Sequence, residues 1–318
     1  MPDKPFKTYD ELIDILNNRG ITIATDDDIK YAKTVLSKEG YYNLINGYNK
    51  LFLDPSAGEN QYKNGTTLYE IHALYQFDRV LRDIFFRYIL RIETHIKNLI
   101  AYYFPMRYGH SNYLLYTNFN TNCRDAQSKI TSLIAEIQKQ LANRASDPSI
   151  SHYLKVYGYV PLWVLNNILT FGTISKFYSL MKVPERQDIS RTFGILDNEL
   201  ENELMYLSSI RNFCAHGNRL YCYRTKNPLI DTPYHSALSL IKNEKGEYIQ
   251  GKRDLFAALI ALRRLLSKND YKRMSKEISI ALKNLNGKLF ILTKSDVLQE
   301  MGFPVNWTEL SSVLTESK

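Results

Sequence analysis

Apolar residues recur along most of this chain at intervals of three, four and seven, the spacing that keeps them on one face of an α-helix. The longest run is "NGTTLYEIHALYQFDRVLRDIFFRYILRIETHIKNLIAYYF". Its apolar stripe comprises Ile71, Leu74, Leu81, Ile84, Phe85, Tyr88, Ile92, Ile96 and Leu99. Thr67, followed three residues later by Glu70, has the form of a capping box, and Pro105 is expected to end the helix. This helix must lie along the core.

The flanking segments have similar patterning. "TYDELIDILNNRG" predicts a short helix capped by Thr8 and closed by Gly20. A second helix is expected from the Asp26–Asp28 run, where negative charge suits a helix N-terminus. It leads into "EGYYNLINGYNKLFLD", a tyrosine-rich segment also read as helix. After a polar loop come a helix around Ala126–Asn143 and a single helix over "VPLWVLNNILTFGTISKFYSLM", with Pro161 in its first turn. "DNELENELMYLSSIRNFCAH" predicts a further helix, capped by Asp197, with Leu200, Leu204, Leu207 and Ile210 on its stripe. Residues 238–251 suggest a small hairpin around "NEKGE". Basic helices are expected near 252–266 and 270–285, and a short one before Lys318. The fold class is all-α, a helical bundle with additional N- and C-terminal helices. Three segments are drawn: 1–64, a bundle over 65–268, and a C-terminal extension over 269–318.

Composition adds a partner class. The 318 residues are 44% hydrophobic and 23% charged, a globular balance, and the formal charge is +8. A positive excess favours an anionic partner such as nucleic acid, although it also serves solubility. It is concentrated between Gly251 and Lys288, which holds ten Lys or Arg against three acids. The cysteines, Cys123, Cys214 and Cys222, form no CxxC pair, which argues against a disulfide framework or a zinc site. The start, "MPDKPFKTYDEL", has no secretory h-region, and no apolar stretch is long enough to span a bilayer. A cytoplasmic protein without membrane attachment is expected.

The chemistry concentrates in "SSIRNFCAHGNRLY", Ser208 to Tyr221. Gly217 is suited to a left-handed cap, so the helix should stop near His216. Asn212 and His216 lie four apart on one face, whereas Arg211 and His216 are about 140° apart round an ideal helix. A helix end there gathers an imidazole with the guanidiniums of Arg211 and Arg219. Histidine titrates near neutrality, and arginine forks onto phosphate oxygens. A base beside such a cation suits RNA cleavage by the 2′-hydroxyl. The plainer reading is that these cations complement the helix macrodipole. No Walker loop, GxGxxG turn, GxSxG elbow, HExxH helix or two-metal carboxylate cluster is present, so neither metal nor cofactor is expected.

In its wider context, "YLSSIRNFCAHGNRLY" resembles the RNxxxH signature of HEPN-superfamily ribonucleases, and more specifically the AbiD/AbiF-type abortive-infection proteins. "EGYYNLINGYNKLF", the long "RIE" helix and "VPLW…FG" are similar to other blocks of that family and occur in the same order, over roughly residues 5–270. The resemblance implies a HEPN-like bundle and a metal-independent endoribonuclease of anti-phage defence, with Arg211, Asn212 and His216 as its catalytic residues. It also marks Glu93 of "RIE" as a carboxylate that pairs with Arg211 across the bundle. Gly217 departs from the bulkier polar residue that many members carry after the histidine. One motif per chain implies a homodimer, since related sites are built from two motifs facing each other.

The proposed RNA contacts are Arg219, Tyr221, Arg263, Arg264, Lys272 and Arg273, and Tyr223 is a further candidate beside the motif. The cations suit a nucleic-acid backbone, and tyrosine rings stack on unpaired bases. A charge run also reads as a solvated face, and helical tyrosines as core packing. Two other functions remain open: a non-catalytic module holding a regulatory or small RNA, and a protein-interaction component of a toxin–antitoxin pair.

Overall fold

The computed structural model describes residues 5–313. Among these the fold is helical, with isolated bridges in place of strands. Helix α1 (Tyr9–Asn18) is capped by Thr8, and α2 (Asp26–Glu39) by Thr25, each through a reciprocal box with the residue three positions on. The axis of the molecule is α3 (Leu68–Tyr108), a helix of 41 residues whose Thr67 accepts from the backbone N–H of Glu70. Its predicted stripe is buried from Ile71 to Ile96, with Leu99 half-buried. The helix runs past Pro105 to Tyr108 and closes at Gly109, whose N–H reaches the Pro105 carbonyl at 2.8 Å.

Helix α4 (Ala126–Asn143) has the predicted bounds, and α5 (Pro148–Tyr157) follows it. The expected single helix after Pro161 is instead two, α6 (Leu162–Leu165) and α7 (Phe171–Leu180). Asn166 is anchored to α3, and at Thr170 the backbone and side chain take bonds outside a continuous helix. Asn166 donates to the Lys97 carbonyl at 2.7 Å, the Thr170 N–H goes to Gln140 Oε1 at 2.9 Å, and the Thr170 side chain caps α7. Helix α8 (Val183–Arg191) leads to α9 (Asp197–Ala215), whose cap is one residue earlier than predicted: the Leu196 N–H donates to Glu199. Helix α9 packs between α3 and α7, with α8 alongside.

Beyond α9 lie α10 (Pro233–Ala237), α11 (Leu255–Leu265), α12 (Lys268–Asn286) and α13 (Lys294–Met301), then a 3₁₀ turn at Trp307–Ser311. The expected hairpin over 238–251 reduces to a turn closed by one bridge, Lys242 with Tyr248. Helix α11 is not a basic surface helix. Every residue from Leu255 to Arg263 is buried. Helix α12 lies along α3, so the C-terminal segment shares the core that begins at Ile13 and reaches Leu310. The part of the expected last helix beyond residue 313 lies outside the described residues. Among the described residues no helix is long and apolar enough to cross a membrane.

The tyrosine-rich segment forms a π-helical turn, Tyr42–Asn46, after Gly40 ends α2 with φ +75°. Leu44 and Ile45 are fully buried, whereas Tyr42, Asn43 and Asn46 are exposed. The turn is thus anchored by its apolar residues and offers its polar ones to the site described next.

Candidate active site at the C-terminal end of α9

Helix α9 stops where the sequence places its end. His216 is the last cap residue, its N–H bonded to the Asn212 carbonyl at 3.1 Å, and Gly217 takes the left-handed φ of +68°. The reversal turns Asn218–Tyr221 back across α3 toward the π turn. A cavity of about 370 Å³ opens between these segments. One wall is His216, Gly217, Asn218 and Arg219, and the other carries Tyr42, Asn43 and Asn46, with Arg82 of α3 on the lining as well.

The scaffold beneath the cavity is Asp78, on the core face of α3 and fully buried. Its Oδ2 accepts from the Tyr48 hydroxyl (2.6 Å), Arg82 (2.6 Å) and the Leu220 N–H (3.1 Å), and its Oδ1 from the Tyr221 N–H (2.7 Å). Burial pushes the carboxyl pKa up, and these four donors pull it back. One buried carboxylate therefore ties together α3, Tyr48 just beyond the π turn and the return segment from α9. Arg82 also donates to the Asn218 carbonyl at 3.3 Å, which holds the return at its bend.

Arg219 crosses to the opposite wall. Its guanidinium donates to the Gly47 carbonyl at 2.8 Å and the Asn46 carbonyl at 3.3 Å, at the end of the π turn. Gly47 lies directly under the Arg219 side chain, where a Cβ would stand 3.4 Å from Cδ, in ordinary van der Waals contact. No carboxylate among the described residues pairs with Arg219, so its charge stays uncompensated at the cavity edge.

Arg211 lies elsewhere on α9. Its Nε donates to Glu93 Oε2 at 3.3 Å, and its guanidinium carbon lies 5.5 Å from the Phe86 ring centre. Lys97 holds the other oxygen of Glu93 at 2.9 Å. Arg211 thus faces α3 and does not line the cavity that His216 lines. Its terminal nitrogens make no hydrogen bond among the described residues. Asn212 is exposed, and its side chain bonds neither Arg211 nor His216.

The other residues singled out from the sequence divide sharply. Tyr221 is 1% exposed and stacks on Tyr48, with ring centres 5.5 Å apart. Tyr223 is buried as well, its hydroxyl bonded to Ser209 at 2.8 Å. Neither ring is open to a base. Arg263 donates to the Leu310 carbonyl at 3.1 Å and lies over the rings of Tyr234 and Tyr271. Arg264 is held by Glu203 at 2.6 Å and Glu199 at 2.8 Å. These two arginines face the interior because α11 is core, which corrects their reading as a backbone-tracking surface. Lys272 and Arg273 are exposed on α12.

Sequence reading missed Asp78 and Arg82. Asp78 falls four residues after Leu74 and three before Leu81, so a carboxylate on the apolar stripe was a usable signal. It also gave no role to Tyr42, Asn43 and Asn46. Among the described residues no group of three or more His, Cys, Asp or Glu is placed to hold a metal ion.

A family model described as "Abi-like protein" matches residues 34–222, which run from α2 through the π turn, α3 and α9 to the return segment. No curated protein and no solved structure matches the chain. The matched region spans more than half of the chain and contains every wall of the cavity. The chain belongs to the Abi-like protein family and is an abortive-infection protein.

Proposed function

We propose that this protein is a HEPN-type endoribonuclease that acts without a metal ion. The observation that carries the reading is the solvent-open imidazole of His216 on a cavity wall shared with the guanidiniums of Arg82 and Arg219. His216 accepts the proton of a ribose 2′-hydroxyl, and the 2′-oxygen attacks the adjacent phosphorus. The P–O5′ bond breaks, and the 5′-oxygen leaves as a hydroxyl, taking its proton from solvent water. The products are a 2′,3′-cyclic phosphate and a 5′-hydroxyl. Charge that develops on the phosphoryl oxygens needs fixed cations, which arginine supplies.

Arg211 enters this scheme through a second copy of the chain. Glu93 holds its Nε, so its terminal nitrogens remain for a phosphate. A two-fold dimer places Arg211 of one protomer beside the His216 of the other, an isologous arrangement in which one surface serves both copies. Glu93 then acts as a positioning residue.

The test is total bacterial RNA incubated with the purified protein in excess EDTA, comparing wild type with His216→Ala and mapping fragment ends. Cleavage by wild type alone, leaving cyclic phosphates, is expected, with a loss of about 10²–10⁴-fold in the variant. Equal cleavage by both proteins, or by neither, overturns the reading.

A further inference from the structure

The cavity beside His216 has a second wall whose chemistry the cleavage step does not use. The π turn puts the ring of Tyr42, 76% exposed, and the amides of Asn43 and Asn46 on its lining. π turns are rare and concentrate at functional sites. This one separates its residues cleanly, with Leu44 and Ile45 fixing it to the core and the polar residues on the other side. Arg219 caps its last carbonyls, which sets the height of the wall against the end of α9.

Size, charge and donor pattern converge on one ligand class. At about 370 Å³ the cavity is at the small end of ligand sites. That volume is on the scale of a single nucleotide rather than of a duplex. The Asn46 amide offers donors and an acceptor, and Asn43, with one N–H on the Glu39 carbonyl at 3.4 Å, keeps its other N–H and its oxygen, the pattern that reads a base edge. An exposed tyrosine ring is the usual stacking platform for an unpaired base. The uncompensated charge of Arg219 faces the same space, and Arg82, although bonded to Asp78, adds its guanidinium.

We infer that this cavity seats one unpaired nucleotide of single-stranded RNA, with the base against Tyr42 and read by Asn43 and Asn46. The adjoining phosphate lies toward Arg219, next to His216. Tyr42, Asn43 and Asn46 therefore set which base the protein selects. The inference rests on the RNA part of the proposed function, needing RNA to bind at this site but not to be cut, and it places base selection on the π turn.

The test uses 2′-fluoro oligonucleotides, which cannot be cut by 2′-hydroxyl attack, so that binding is measured apart from cleavage. Fluorescently labelled ten-nucleotide A, C and U homopolymers and a G-containing mixed sequence are titrated with wild type, Tyr42→Ala, Tyr42→Phe, Asn43→Ala and Arg219→Gln. Tyr42 is a surface residue, and a thermal melt verifies that its variants are folded. Tyr42→Ala is expected to weaken the preferred oligonucleotide about ten-fold, while Tyr42→Phe stays within about two-fold. Asn43→Ala flattens the preference among bases, and Arg219→Gln lowers the slope of log affinity against log salt by about 0.7.

Equal affinity of Tyr42→Ala and wild type overturns the inference. So does Tyr42-dependent binding of free mononucleotides without binding of the oligonucleotides, which would assign the cavity to a soluble nucleotide. If oligonucleotides bind through Tyr42 while the EDTA assay shows no cleavage, the subsite stands and the nuclease reading falls. Cleavage that is indifferent to Tyr42 gives the converse.

Discussion

Asp78 and Glu203 are both fully buried, and each has an arginine at 2.6 Å, yet they are held in opposite ways. Asp78 receives four donors from three stretches of chain, two of them backbone N–H groups. Glu203 receives Arg264 on one oxygen, its other oxygen has no partner among the described residues, and Arg264 is shared with Glu199. One guanidinium therefore faces two carboxylates. Burial pushes the Glu203 carboxyl up to about 8, Arg264 opposes that rise, and the charge of Glu199 adds to it. Burial raises both carboxyls, and what differs is the hold on them: Asp78 has donors from several stretches of chain, Glu203 a single shared cation.

Asp78→Asn puts this contrast to its most severe test. The amide keeps one acceptor oxygen, but its NH₂ finds an acceptor only in the Tyr48 hydroxyl, so Arg82 or a backbone N–H of residues 220–221 is left unpaired. Removing one partner of a buried pair costs about 3–5 kcal/mol. A urea titration should show a loss of that size, together with faster amide exchange at Leu220 and Tyr221. A loss below about 1 kcal/mol would mean that Asp78 is not the hub of the cavity, since that is the size of one ordinary hydrogen bond.

Glu203→Gln tests the other side. The ordinary carboxyl value is 4.5, and the folded value is about 8. Between these the folded state holds one proton more than the unfolded chain, so wild-type stability falls as pH rises through that window. Outside it this group contributes no slope. Each pH unit inside the window removes about 1.36 kcal/mol, so the whole fall is on the order of 4–5 kcal/mol. Urea midpoints at pH 5, 6.5 and 8.5 should show this decline in wild type and a flatter profile in Glu203→Gln. Parallel profiles would show that Arg264 keeps Glu203 ionised in the fold.

These two acids also mark what a sequence can disclose. The stripe of α3 and the bounds of α4 follow from local periodicity, and the end of α9 at His216 from a glycine suited to positive φ. All are set by neighbours in sequence. The pairing of Glu93 with Arg211 joins residues 118 positions apart, and family resemblance, not periodicity, pointed to it. The cavity needs more distant information still. Two of the donors to Asp78 are backbone N–H groups, which carry no residue signature, and the break between α6 and α7 depends on a carbonyl of α3 and a glutamine of α4. The reading of Arg263 and Arg264 as surface cations failed for the same reason. Their partners, Leu310, Glu199 and Glu203, come from elements far along the chain, and charge alone does not reveal that a helix is core.

The smallest effect comes from Glu199→Gln, which asks whether the shared cation is the cause of the difference. Glutamine still offers one oxygen, so it can accept from the Leu196 N–H at the start of α9 and from Arg264. The fold should lose no more than about 1 kcal/mol at neutral pH, the typical worth of a partly exposed ion pair. What changes is the charge. With one carboxylate left, Arg264 belongs to Glu203 alone, and removing a like charge lowers the Glu203 pKa. The upper end of the pH-dependent decline then moves to lower pH in Glu199→Gln, while Glu203→Gln abolishes that decline whether or not Glu199 is present. If the upper end stays where it is in wild type, Glu199 has no part in setting the Glu203 pKa, which is left to burial and Arg264. The contrast with Asp78 would then lie in its backbone donors and not in the division of a cation.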